Sequence, residues 1–168
     1  MGFFVSHKER GFLLVQVIVV AGIIALLASV VMFNVADSKK GSRDTQRVSN
    51  LESMQLALRL YKDAYGAYPG ATTTTYNSGI EIGNSGAFDL ALRGYVTGTI
   101  KDPLNTSSNK YFYDSDYTCG GSSRVVLIAQ TMERPNKGNH TVVCGASPGN
   151  NLGNGVIPDA NSYVLILK

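Results

Sequence analysis

From Phe12 to Ala36 the chain runs for 25 residues without a charge, and its only polar interruptions are the neutral Gln16, Ser29 and Asn34. A helix of that length would reach about 37 Å, enough to cross a hydrocarbon core of roughly 30 Å. The pattern then changes. In "DSKKGSRDTQRVSNLESMQLALRLYKDAYGAYP" the apolar positions are Val48, Leu51, Met54, Leu58, Tyr61 and Tyr65. Steps of three and four place them along one face of an amphipathic helix. Leu56 and Leu60 are expected to widen that stripe near its end. Gly66 and Pro69 then stop the helix. Gly41 is its weak position, costing about 1 kcal/mol against alanine. No breaker divides the apolar run from the amphipathic one, so the pattern predicts a single helix from Phe12 to Tyr65, about 80 Å long.

Beyond it the period shortens. "GATTTTYNSGIEIGNSG" reads as a loop, and the Thr72–Thr75 run as loop before sugar site. "AFDLALRGY" has short helical spacing. "KYFYDS", "RVVLIAQTM", "HTVVCG" and "SYVLILK" are β-prone runs, separated by the turn-rich "DYTCGGSS", "ERPNKGN" and "SPGNNLGNG". With no crossover helices between them, these strands should form a mainly antiparallel sheet, one face packed on the helix stripe. The expected fold is therefore α+β, a long N-terminal helix on a C-terminal antiparallel head.

Composition sharpens the picture in two places. The chain has 168 residues and 44% apolar content, yet its mean hydropathy is only +0.02. The apolar residues are thus concentrated in one stretch. A secretory signal cut near Ala28 competes with a retained span, but such signals have apolar runs of about 7–15 residues. The net charge of +3 requires no nucleic-acid partner. Lys8 and Arg10 favour a cytoplasmic N-terminus, although Lys39, Lys40, Arg43 and Arg47 follow the span. Those four could meet anionic headgroups, or DNA, or simply form the polar face of the helix. Cys119 and Cys144 are the two cysteines. In an exported domain such a pair reads as a disulfide, and in a cytosolic one as two thiols.

The start "KERG" followed by "FLLVQVIVVAGIIALLASVVMFN" resembles the class III signal of type IV pilins and type II secretion pseudopilins. "RDTQRVSNLESMQLALRLYKDAYGAYP" is similar to the exposed half of the pilin helix, and "LALRGYVTGTIKDPLN" to a segment of pilin-like heads. The resemblance implies a division into a leader (1–11), a membrane or filament-core half of the helix (12–36), an amphipathic half (37–65) and a head (66–168). It implies cleavage between Gly11 and Phe12 by a prepilin peptidase, and methylation of the new amino terminus on Phe12. It also implies a single-pass precursor in the cytoplasmic membrane, N-terminus inside, drawn by inner-membrane machinery into an extracytoplasmic filament of pilin-like subunits. The chain would be a substrate and structural subunit of a pilus-like filament, with no catalytic residue and no cofactor. A type II secretion pseudopilin, or a signal-anchored surface protein that never polymerises, are the alternatives.

Gln16 departs from the family pattern, which has glutamate at the fifth mature position. An amide can accept a hydrogen bond but carries no charge, and charge-assisted bonds are roughly twice as strong as neutral ones. That difference points to a minor or tip-type subunit. Phe33 stands where many pilins have proline, so a straighter helix is expected there. His7 and His140 are the two histidines, too few for a histidine-based centre. The cysteines lack zinc-ligand spacing. Asp114 and Asp116 alternate like calcium ligands, but the segment lacks the glycine and distal glutamate of an EF-hand and reads as a solvated turn. Few acidic residues in the last twenty argue against a calcium-bound secretion pseudopilin. Asn105-Thr106-Ser107 and Asn139-His140-Thr141 match the glycosylation sequon.

Overall fold

The structure, a computed structural model, describes residues 7–70, 79–84, 86–145, 152 and 158–167. The Thr72–Thr75 run and the first six residues lie outside these, as does most of "SPGNNLGNG". The chain divides into two compact units, residues 1–39 and 40–168. Helix α1 (His7–Tyr65) contributes to both. In the first unit its side chains from Gly11 to Val30 are all exposed, Phe12 at 74% and Leu26 at 69%. A helix that is apolar on every side is ordinarily buried, in a core or in a membrane, and this one is long and apolar enough to cross a membrane. Ser29 bonds the carbonyl of Leu26 at 2.7 Å, which removes its hydroxyl from that apolar surface.

In the second unit the rest of α1 packs on a four-stranded antiparallel sheet of order β1-β2-β3-β4. The strands are β1 (Ile80–Glu81), β2 (Tyr111–Cys119), β3 (Ser122–Ala129) and β4 (Tyr163–Leu167). Leu51, Met54 and Leu58 of α1 meet Tyr111, Tyr113, Leu127 and Ala129 in one core. The alternate residues Phe112, Tyr117, Val126, Ile128 and Val164 form a second core on the opposite face, with Cys119, Cys144 and Leu152. Successive strand side chains point to opposite faces, so a sheet covered on both sides reads as continuous apolar runs.

Leu56 and Leu60 do not widen the stripe: they are 60% and 46% exposed, while Ala57 is buried. At about 100° per residue they lie across the helix from Met54 and Leu58. Gly66, at φ +79°, donates its N–H to the carbonyl of Lys62 at 2.7 Å and closes the helix, the αL glycine cap expected at this place.

The turn read in "DYTCGGSS" shrinks to Gly120-Gly121, both at positive φ, and the strands run up to it on either side. Two left-handed residues form the two-residue hairpin loop whose twist matches its strands. "HTVVCG" is a short helix, α3 (His140–Cys144), rather than a strand. His140 and Cys144, four apart, face inward and Val142 is exposed, a helical rather than a two-residue repeat. "AFDLALRGY" supplies α2 (Ala87–Ala91).

Candidate functional site

The residues expected to carry processing and assembly all lie in the first turns of α1. A Cβ built on Gly11 meets nothing within 4 Å, so packing within the chain does not require glycine there. Phe12 and Gln16 are four apart and share a helix face. Gln16 lines a shallow apolar groove with Leu13, Val17, Val20 and Ile24, so a polar amide is set into an otherwise aliphatic surface.

The head holds a second polar feature, which sequence reasoning missed. Arg47, assigned above to headgroups or to the polar helix face, has a side chain with no exposed surface. Its Nε and Nη2 donate to both oxygens of Asp102, at 2.7 and 3.0 Å, and its Nη1 donates to Asp44 at 2.7 Å and to Glu133 at 2.8 Å. Arg43 pairs with the same Glu133 from one helical turn earlier. Asp44 also accepts the backbone N–H groups of Glu133 and Arg134, both at 2.9 Å, and Asp102 accepts that of Leu104 at 2.9 Å. One guanidinium therefore ties α1 to the segment before β2 and to the segment after β3. Burial opposes the charge on Arg47, yet the bonds from Asp102 and Glu133 hold its pKa above the ordinary arginine value. The bond from Arg43, with Arg47 behind it, lowers the Glu133 carboxyl to about 2.

This clamp explains one sequence feature. Asp102 is the acid of the Asp-Pro-x-Asn segment that carried part of the resemblance. Beside the clamp, a Cβ on Gly41 would lie 2.7 Å from the Arg134 guanidinium, the movable end of a long side chain. The signal in the sequence was positional. Asp44 and Arg47 extend the Val48–Leu51–Met54 face by one turn, and a charge on a buried face demands partners.

The other candidates are placed as follows. Cys119 and Cys144 are joined by a disulfide with a Cα–Cα distance of 4.3 Å, linking the end of β2 to α3 beside the second core. Asp114 and Asp116 are not in a solvated turn. They lie in β2 at an irregularity of its pairing with β3, and Asp114 has no exposed surface. His140 is buried, with its Nε2 2.8 Å from the Tyr117 hydroxyl, and burial lowers its pKa. In the second sequon Asn139 uses its amide in the fold, accepting from Val164 N–H at 2.6 Å and donating to Val164 C=O at 3.0 Å. Those bonds pair the outward backbone groups of Val164 on the edge strand β4. Asn105, in the first sequon, accepts from Lys110 at 3.1 Å. Among the described residues no group of three or more His, Cys, Asp and Glu is arranged to hold a metal.

No family model matches the sequence, and no solved structure matches it. Two curated relatives do. The chain is 36% identical over 76 residues to "Type II secretion system core protein G" of Escherichia coli strain K12, covering 45% of this chain and 49% of that protein. It is 35% identical over 64 residues to the protein of the same name from Pectobacterium carotovorum subsp. carotovorum, covering 38% of this chain and 41% of that one. The chain thus spans about half the length of the curated relatives it matches, or less. Both matches support a likeness to the type IV pilin and pseudopilin family, and the long apolar helix with an antiparallel sheet is consistent with a pilin-like α+β fold.

Proposed function

We propose that this chain is a pseudopilin-type structural subunit, anchored by the apolar part of α1 and assembled with other pseudopilins in a type II secretion machinery. The carrying observation is the match to two proteins named as type II secretion core components, which favours this reading over the pilus-subunit reading that the sequence motifs alone suggested. Residues 1–11 act as a leader, and a prepilin peptidase cuts between Gly11 and Phe12 and methylates Phe12. The apolar stretch stays with the product because the cut precedes it. A peptide bond must leave the helix to enter a protease, and glycine lowers the cost of unwinding by about 1 kcal/mol relative to alanine. That gives Gly11 a purpose that packing does not.

Outside lipid, the exposed aliphatic surface of α1 is buried only against other apolar helices. Each Leu, Ile or Val side chain moved from water to a core contributes about 1.5–3 kcal/mol, most of which lipid already supplies. Withdrawal from the membrane therefore calls for a driven machine. Gln16 supplies a neutral acceptor where a carboxylate would pair with a neighbour's amino terminus, so this chain enters the assembly with a weaker specific contact, as a minor or tip-type subunit would.

The test is the intact mass and N-terminal sequence of the chain from membranes, with and without a co-expressed prepilin peptidase. A product starting at Phe12 and carrying one added methyl, seen only with the peptidase, supports the reading. A chain still starting at Met1, or cut near Ala28, overturns it in favour of an anchored or secreted head.

A further inference from the structure

Asp114 sits where a carboxylate is costly. It lies in β2 between Tyr113 and Ser115, opposite Val126 of β3, with no exposed surface. Its Oδ1 accepts the backbone N–H of Asp116 at 3.0 Å. Its Oδ2 is buried without a partner, and so is Oδ1 of Asp116. The neighbouring Asp116 carboxyl adds to the cost of a negative charge on Asp114. Two ionised carboxylates in this position would repel, with a bare acceptor on each. One proton removes that repulsion and turns a buried acceptor into a donor.

We propose that Asp114, with Asp116 two residues along the strand, forms a proton-binding site, in which one proton taken from solvent is held on the buried Asp114 carboxyl. Uptake changes the pair from two negative charges to one, with no other bond made or broken. The proton-loaded form is the one the second core is built around.

The charged and titratable neighbours leave the site to the proton. On β2 itself Tyr117 follows, its hydroxyl engaged with His140 of α3. On β3 the nearest cation in register is Arg124, opposite Tyr117 and exposed. On β1 Glu81 is paired with Lys110 at 2.8 Å. Asp159, before β4, acts on His140. Among the described residues no Lys or Arg forms an ion pair with Asp114. Burial, and after it the neighbouring Asp116 carboxyl, accordingly pushes the Asp114 pKa up to about 6, against the backbone N–H of Asp116 that favours the charged form. The pair is alone of its kind among the described acids: Asp44, Asp102 and Glu133 are also buried or nearly so, but each faces Arg47.

The experiment is a carboxyl-carbon NMR titration of the full chain in detergent micelles at controlled pH. Asp114 is expected to titrate with a midpoint near 6, about a 100-fold tighter hold on its proton than an unperturbed aspartate at about 3.9. Asp114→Asn, which presents a permanent donor to Asp116, is expected to remove the fall in unfolding midpoint between pH 4 and pH 6.5 that the parent shows. Asp116→Asn, which offers its amide to the ionised Asp114, is expected to move the Asp114 midpoint down by a unit or more. If Asp114→Asn does not fold, the titration of the parent still decides. An Asp114 midpoint at or below 4 overturns the proposal. So does a parent that calcium stabilises and Asp114→Asn that it does not, since a cation would then hold the two oxygens.

Discussion

Replacing Arg47 with methionine keeps most of the side-chain length and deletes the guanidinium, and the structure shows where the loss falls. Asp44 would keep the N–H groups of Glu133 and Arg134, and Glu133 would keep Arg43. Asp102 would lose both of its Arg47 bonds and retain the N–H of Leu104, with a side chain only 1% exposed. Breaking a buried pair by removing one partner costs about 3–5 kcal/mol, because the other charge is left uncompensated. With a urea slope of about 1–3 kcal/mol per molar, the unfolding midpoint should fall by at least about 1 M. Tyrosine near-UV circular dichroism is the assay, since the chain has no tryptophan and all nine tyrosines lie at position 61 or beyond. That signal reports on the head and ignores the apolar end of α1. The double variant Arg47→Met/Asp102→Asn removes the orphaned charge and should recover about 1–2 kcal/mol of the loss. If Arg47→Met costs under about 1 kcal/mol, as an exposed ion pair would, the clamp reasoning fails.

The same urea assay from pH 2.5 to 7.5 tests opposed titrations. Glu133, lowered from 4.5 to about 2, stabilises the head above pH 4.5, and that contribution is lost as pH falls toward 2. Asp114, raised from 3.8 to about 6, contributes fully below pH 3.8 and loses its contribution as pH rises through 6. Each shift is worth at most about 3 kcal/mol, so these two groups together should give a stability maximum near pH 4, and a profile flat from pH 4 to 6.5 would contradict it. Replacing Cys119 and Cys144 together with serine should cost about 3–4 kcal/mol, the entropy of a loop of their separation, read as a lower urea midpoint that reducing agent no longer changes. Gln16→Glu restores a charged partner and should raise the fraction of the chain recovered in sheared filaments over the parent; an unchanged fraction removes Gln16 from the assembly argument.

Local pattern carried the long helix and the sheet class, because each was written in a period that one segment contains. The three-and-four spacing from Val48 to Tyr61 needed no knowledge of the sheet. It failed at Leu56 and Leu60, which are leucines by type but lie on the far side by angle, and at Tyr65, the last position of the expected stripe, which is 68% exposed. "HTVVCG" failed for a similar reason. Two valines in a row have strand propensity, but the disulfide and the buried His140 fix this segment as one turn of helix, and tertiary context overrides such propensities. β1, two residues long, leaves no period to read.

The polar features of the head needed the fold. Arg47 meets Asp102 and Glu133 across 55 and 86 positions of sequence, and no local spacing announces such a partner. What the sequence did display was a conflict, Asp44 and Arg47 on the face that buries Leu51. Asp114 posed the same conflict more quietly, a carboxylate among alternating aromatics in "YFYDSDY". A buried charge is tolerated only with an opposite charge, a cation or a proton. The fold answers the first conflict with two arginines against three acids. At Asp114 the described residues supply no opposite charge, so the alternation of Tyr111, Phe112 and Tyr113 into the two cores already implies that an acid continuing that strand inward will bind a proton more tightly than one in water.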